Sequence, residues 1–179
     1  MEEKLVIGMD FGTDSVRGLL VDSLTGRILS TAVSYFKRWK QGLYCDPQKD
    51  QYRQHPLDYT ESIDDVLREL LNELSPATIK QIKAIGTNTT GSTPVAVDER
   101  GQPLSLREGF LENPNAMFIL WKDHTAIKEA DEINAMAKKW SIDYTRFSGG
   151  IYSSEWFWSK ILHVNRVDPE LAKAAFTWV

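Results

Sequence analysis

Apolar residues gather at 5–10 and again at 16–21, and a polar bend, Gly12-Thr13-Asp14-Ser15, separates them. Short runs rich in Val, Leu and Ile, closed by turn formers, predict a buried hairpin. After the turn at 22–26, residues 27–36 predict a third strand, which makes an antiparallel meander. Alternation is then lost over 37–56, a polar inserted loop carrying Trp39 and Tyr44. A connection of that length is either a functional loop or a surface excursion pinned by those two rings. The period next changes to that of a helix. Tyr59, Ile63, Val66, Leu67, Leu70, Leu71 and Leu74 share one stripe, and Asp64, Asp65, Glu69 and Glu73 fall mainly off it as a solvated face. Pro56 opens this helix, Asp58 is its expected N-cap with Glu61 completing a capping box, and Ser75-Pro76 stops it.

A strand over 79–86 follows, and strand, helix, strand in that order gives a parallel crossover. The expected fold is therefore α/β, a mixed sheet of antiparallel meander plus parallel strand with flanking helices. The parallel strand empties into Thr87-Asn88-Thr89-Thr90-Gly91-Ser92-Thr93. Ligands in open α/β sheets collect at the carboxyl ends of parallel strands, and residues this small leave room for a hydroxyl-rich molecule. A loop simply solvated by water is the competing reading. Residues 94–98 and 103–106 predict a small hairpin around Glu99-Arg100-Gly101-Gln102. Asp123 or Thr125 is placed to cap a helix whose stripe is Ile127, Ala130, Ile133, Ala137 and Trp140. Ser153 or Ser154 caps a helix bearing Trp156, Phe157, Trp158, Ile161 and Leu162, and Asp168-Pro169 starts one more. The apolar ending at 174–179 has no capping glycine or polar tail, so the chain is expected to be cut from a longer one.

Composition narrows the possibilities. The 179 residues suffice for one sizeable domain or part of a larger one, and 42% hydrophobic with 26% charged residues is ordinary for a globular protein. A net charge of −4 without a basic block disfavours nucleic acid as a partner. No apolar run approaches the roughly 18 residues that span a bilayer. The opening Met-Glu-Glu-Lys leads straight into a strand, so no secretory signal is expected. One cysteine, Cys45, fits a reducing, cytoplasmic setting.

Chemistry is sought first at the bend. Its backbone N–H groups, with the Thr13 and Ser15 hydroxyls beside them, can form an anion-binding nest. Asp10 at the end of the first strand would repel phosphate unless a divalent cation such as Mg²⁺, held partly through waters, sits between them. Arg17 adds permanent positive charge. A plain hairpin with a polar turn explains the same residues. There is no Gly-x-x-x-x-Gly-Lys-Ser/Thr, no Gly-x-Gly-x-x-Gly after the first strand and no Gly-x-Ser-x-Gly, and Cys45, His55, His124 and His163 match no zinc spacing.

Asp10-Phe11-Gly12-Thr13-Asp14-Ser15-Val16-Arg17 resembles the first phosphate loop of the actin-like ATPase superfamily, in the version used by the FGGY carbohydrate kinases. Similarity to that family continues through Gly42-Leu43-Tyr44-Cys45-Asp46, Thr89-Thr90-Gly91-Ser92-Thr93-Pro94, Leu120-Trp121-Lys122-Asp123-His124-Thr125 and Ser148-Gly149-Gly150-Ile151-Tyr152-Ser153-Ser154-Glu155-Trp156, and so covers nearly the whole chain, 1–179. The resemblance implies a ribonuclease H-like fold and transfer of the ATP γ-phosphate, with Mg²⁺, to the 5-hydroxyl of L-ribulose in arabinose breakdown. It implies that Asp10 organises the metal, that Gly12, Thr13, Asp14 and Ser15 cradle phosphate, and that Arg17 steadies charge there. Thr90, Gly91 and Ser92 stand where related kinases contact sugar, as do Trp121 and Asp123, although an N-cap role also accounts for Asp123. It further implies that the catalytic base, the second phosphate loop and the adenosine pocket lie beyond residue 179, so that this segment alone is expected to be inactive and to sit in a larger enzyme, expected to be a homo-oligomer. Another FGGY kinase, of xylulose or glycerol type, is an alternative, and so is a non-enzymatic actin-like or sugar-responsive module.

Overall fold

The computed structural model describes residues 4–179, so the first residues of the expected leaderless N-terminus lie outside the described residues. In chain order the elements begin with β1 (Leu5–Phe11), β2 (Ser15–Asp22), β3 (Ile28–Tyr35), α1 (Lys37–Lys40), β4 (Arg53–Gln54), α2 (Pro56–Leu71) and α3 (Pro76–Ile79). They continue with β5 (Ile82–Thr89), β6 (Ala96–Val97), β7 (Phe118–Ile119), α4 (Ile127–Ala137), α5 (Phe157–Val167), α6 (Pro169–Ala174) and β8 (Thr177–Trp178). Two compact units divide the chain: Met1–Gln41 with Leu57–Thr90, and Gly42–Pro56 with Gly91–Val179. Among the described residues no helix is long and apolar enough to cross a membrane.

The first unit is a four-stranded sheet in the order β3-β2-β1-β5. β1–β2 and β2–β3 pair antiparallel and β5 runs parallel to β1, so meander and parallel strand both form as expected. Alternate residues of β1, Leu5, Ile7 and Met9, face a core completed by Val16, Leu20, Ala32, Phe36, Val66 and Leu70. The α2 stripe covers this face, with Tyr59, Ile63, Leu67, Leu71 and Leu74 packed at its margin. Gly18 lets the helix approach: a Cβ there would lie 2.4 Å from Val66 Cγ1 and 2.9 Å from Leu70 Cδ1.

Three local expectations between residues 37 and 89 are corrected. β5 starts at Ile82, because Ser75 caps the short α3 instead, and it continues through Thr87-Asn88-Thr89, which are strand and not loop. The segment 37–56 is not structureless, since it opens with α1 and holds β4. Asp58 does not cap α2, which begins at Pro56. Its buried carboxylate accepts the backbone N–H groups of Arg38 and Trp39 at 3.1 Å each, and so caps α1, whose own N-cap residue Phe36 offers no side-chain acceptor. Glu61 chelates the Arg38 guanidinium at 3.1 and 2.9 Å, and that hydrogen bonding raises Arg38 above its ordinary value.

In the second unit β4 pairs with β7 and β6 with β8, both antiparallel. Its core comprises Ala96, Leu104, Ala116, Ile119, Val164 and Leu171. The hairpin expected at 94–106 reduces to one bridge, Val97 to Pro103, and the strand partner of Ala96–Val97 is Thr177–Trp178. α4 starts at Ile127 without a side-chain cap, so neither Asp123 nor Thr125 is its N-cap; Ile127 and Trp140, expected on its buried stripe, are exposed. α5 likewise begins after Trp156 with no cap from Ser153 or Ser154. At α6 the expectation holds, with Asp168 accepting from the Leu171 N–H and Pro169 at the first position.

Candidate functional site

In the first unit β1 and β2 meet at a tight connection. The Gly12 N–H donates to the Ser15 carbonyl at 2.9 Å, and the Asp14 carbonyl accepts from the Phe36 N–H at 2.9 Å. Ser15 is fully buried, its hydroxyl donating to Asp14 Oδ1 at 2.8 Å. The Gly12 amide and Ser15 hydroxyl, both expected to face an anion, are thus engaged inside the bend, and Thr13 and Asp14 form its outward part. Gly12 still matters for space, because a Cβ there would come 3.2 Å from Arg17 Nη1.

Asp10 lies opposite Arg17 on β2 and beside Asn88 on β5, positions fixed by the register of three adjacent strands. Its Oδ1 accepts from Asn88 Nδ2 at 3.2 Å and its Oδ2 faces Arg17 Nη1 at 3.5 Å. Arg17 also reaches Asp14 Oδ1, at 3.8 Å. Asp10 and Arg17 are each about half exposed, so carboxylate and guanidinium are presented to solvent at the same sheet end. Among the described residues no three His, Cys, Asp or Glu side chains cluster to hold a metal by themselves. Accessible carboxylates at Asp10 and Asp14 suit Mg²⁺, which keeps most of its waters and binds through one or two carboxylates and substrate phosphates. Asn88 was missed as a site residue. The sequence placed β5 next to β1 but carries no signal for the register that sets Asn88 beside Asp10.

Of the residues expected to contact sugar, Thr90 closes the first unit, and Gly91, Ser92, Trp121 and Asp123 belong to the second. Ser92 holds a left-handed backbone, with φ of 55°. Its hydroxyl donates to the Glu155 carbonyl at 2.9 Å, and its own carbonyl accepts from Lys160 Nζ at 2.7 Å. The same ammonium donates to the Leu120 carbonyl at 2.9 Å. Lys160 is 1% exposed, and burial pushes its pKa down to about 8. Leu120 is followed by Trp121, whose ring is exposed.

Asp123 is 0% exposed and both its oxygens are occupied. Oδ1 accepts from the Thr125 N–H at 3.1 Å and the Thr125 hydroxyl at 2.6 Å. Oδ2 accepts from the Tyr52 N–H at 2.7 Å and pairs with the Arg53 guanidinium, itself 1% exposed. Asp123 is therefore an internal brace. Arg53 and Lys160 were also missed; the available signal for Lys160 was a lone cation at helical spacing between Trp156 and Val164 on an apolar stripe.

Residues 5–179 match the family model described as the FGGY family of carbohydrate kinases, N-terminal domain, and the chain belongs to that family. Carbohydrate kinases of this family use ATP. The chain is 49% identical to the ribulokinase of Vibrio parahaemolyticus over 97% of its own length and 31% of that relative's. It is 34% identical to the ribulokinase of Bacillus licheniformis over 90% of its length and 30% of that relative's. It thus spans about a third of the length of the curated relatives it matches. Among solved structures, a gluconate kinase from Lactobacillus acidophilus shares the fold with a TM-score of 0.75 at 17% identity, covering 99% of this chain and 31% of that one. A xylulose kinase from Bifidobacterium adolescentis does so with a TM-score of 0.70 at 16% identity, covering 99% and 32%. The family membership expected from the resemblance along nearly the whole chain is borne out, and the fold is the one these sugar kinases share.

Proposed function

We propose that the enzyme carrying this chain transfers the γ-phosphoryl group of ATP to the 5-hydroxyl of L-ribulose, in the cytoplasm. The observation that carries this reading is 49% identity, spread over 97% of the chain, to a relative named ribulokinase. The sugar oxygen attacks the γ-phosphorus, the bond to the ADP oxygen breaks, and the hydroxyl proton leaves to a base that the family resemblance places outside these residues. Such transfer relies on positioning and charge stabilisation more than on covalent help from the protein.

In this reading Asp10 would hold Mg²⁺ through water, and Asn88 and Arg17 hold Asp10. Mg²⁺, when bound with the nucleotide, supplies charge neutralisation on the phosphate oxygens. Thr13 and the backbone at Asp14 face the phosphates, Gly12 keeps the approach clear, and Arg17 supports the charge that develops. Thr90, Gly91, Ser92 and Trp121 are each assigned to the sugar, and Asp123 acts only by bracing Arg53 and Tyr52. The test is ADP release by the full-length enzyme against L-ribulose, D-ribulose, D-xylulose, glycerol and gluconate. The reading requires kcat/KM to be highest for L-ribulose; a higher value for xylulose or glycerol replaces it with another kinase of the family. ATP-dependent sedimentation without any sugar turnover replaces it with an assembling module.

A further inference from the structure

We infer that Lys160 is a positioning residue for the sugar loop: its buried ammonium ties the Ser92 carbonyl to the Leu120 carbonyl and so fixes Gly91-Ser92 relative to Trp121. This rests on the proposed role of Gly91 and Ser92 toward sugar. The two hydrogen bonds, 2.7 and 2.9 Å, join segments that are distant in sequence. One ends in the loop after β5 and the other at the end of β7. A helix residue that clamps both sets the separation of the elements that follow them.

The environment makes Lys160 an expensive choice for mere space filling. An ammonium taken out of water loses strong hydration, and an apolar side chain of similar volume is often as good or better for stability. Here two of the three ammonium N–H donors meet neutral carbonyls, while Asp123 and Glu155 favour the charge from nearby and Arg53 opposes it. What the ammonium gives that a methyl group cannot is direction. Ser92 needs directing, because its φ of 55° puts an L-residue in the left-handed region, where its Cβ crowds the backbone. Its second anchor comes from the same region, the hydroxyl bond to the Glu155 carbonyl just before α5. One helix start therefore holds the loop through both its side chain and its backbone. Strained residues held by surrounding structure are characteristic of ligand clamps, and displacement of a substrate-facing group by about 1 Å can cost a hundredfold in rate.

The test uses the full-length enzyme with Lys160→Met, Lys160→Gln and Gly91→Val, measuring kcat and KM separately for L-ribulose and ATP, with thermal melting of each. A Cβ at Gly91 meets nothing within 4 Å, so Gly91→Val probes the ligand side and not the packing. The inference expects Lys160→Met to raise KM for L-ribulose about tenfold or more while KM for ATP stays within about twofold. Lys160→Gln, which keeps two N–H donors on a shorter stem, should fall between Met and Lys, and it carries the test if the Met variant does not fold. If Gly91→Val raises the ribulose KM and the Lys160 variants do not, the positioning role is overturned and the loop reading stands. If none of the three moves it, both fall. Ribulose and ATP constants drifting together with the melting temperature would show Lys160 to be structural only, which also overturns the inference.

Discussion

Asp10 and Lys160 are charged residues in opposite circumstances, one open to solvent and one enclosed. Asp10 keeps a half-exposed carboxylate between Asn88 and Arg17, and its removal leaves no buried group without a partner. Asp10→Ala in the full-length enzyme is therefore expected to fold normally and to lose about 10²-fold in kcat, the scale of one lost transition-state charge contact. Unchanged turnover at saturating Mg²⁺ would remove Asp10 from the metal role. Lys160 couples to pH through stability. Burial lowers its pKa from 10.5 to about 8, so between those values the unfolded chain binds more protons than the folded one. Unfolding free energy from this group must then rise with pH across that window, the full burial penalty applying below it. Asp123, Arg53 and Glu155 surround it and set the depth of the effect. Denaturant titrations should show wild type gaining on Lys160→Met between about pH 8 and pH 10.5; a constant difference contradicts this linkage. Neither role of a buried charge was legible locally. Asp123 reads as an N-cap because Asp-x-Thr before a helix is how caps are written, and it does bond Thr125. Its decisive partner, Arg53, lies 70 residues away in a stretch without periodicity.

Elements were legible where a pattern repeats and illegible where pairing is short or remote. The three-strand meander, the α2 stripe and the parallel return of β5 each rest on several apolar positions at one period, which is why the sequence carries them. β6 and β8 are two residues each, too short for any period, and their pairing joins positions far apart in the chain. The Asp58 carboxylate was recognised as a cap, but its helix was misassigned: Pro56 already supplies the start of α2, and α1, four residues long, shows no stripe of its own. Gly18 was read as an ordinary strand residue. It is the contact point of α2 on the sheet, since an added methyl would overlap Val66 and Leu70, both buried side chains with little room to retreat. Gly18→Ala should therefore destabilise by about 1–3 kcal/mol, the usual cost of overpacking, read as a lower denaturation midpoint at unchanged slope. An unchanged midpoint would mean that α2 lifts from β2 freely.

At the scale of the molecule, the family implies a reaction that these residues cannot be expected to complete alone. The chain presents a carboxylate, a guanidinium and a tight bend at one sheet end, and in its second unit a loop at Ser92 tied through Lys160 to the carbonyl of Leu120, the residue before the exposed Trp121. It spans 31% of the Vibrio parahaemolyticus relative, and the resemblance puts the proton acceptor and the adenosine contacts in the remainder. Correct placement of two reactants is worth effective molarities on the order of 10⁵–10⁸ M, and that advantage is lost once one reactant is held on a single side. Holding the sugar without a base cannot restore it, because a neutral hydroxyl is a poor nucleophile toward a charged phosphoryl group. The 179-residue polypeptide is accordingly expected to give no L-ribulose-dependent ADP formation above background in a coupled assay that detects the full-length enzyme at the same molarity. Ribulose-dependent turnover by the short chain would require a carboxylate within it to take the hydroxyl proton. Asp10 and Asp14, both about half exposed at the bend, would then be the candidate acceptors, and loss of the acidic limb of the kcat–pH profile in Asp10→Asn or in Asp14→Asn would show which of them takes the proton.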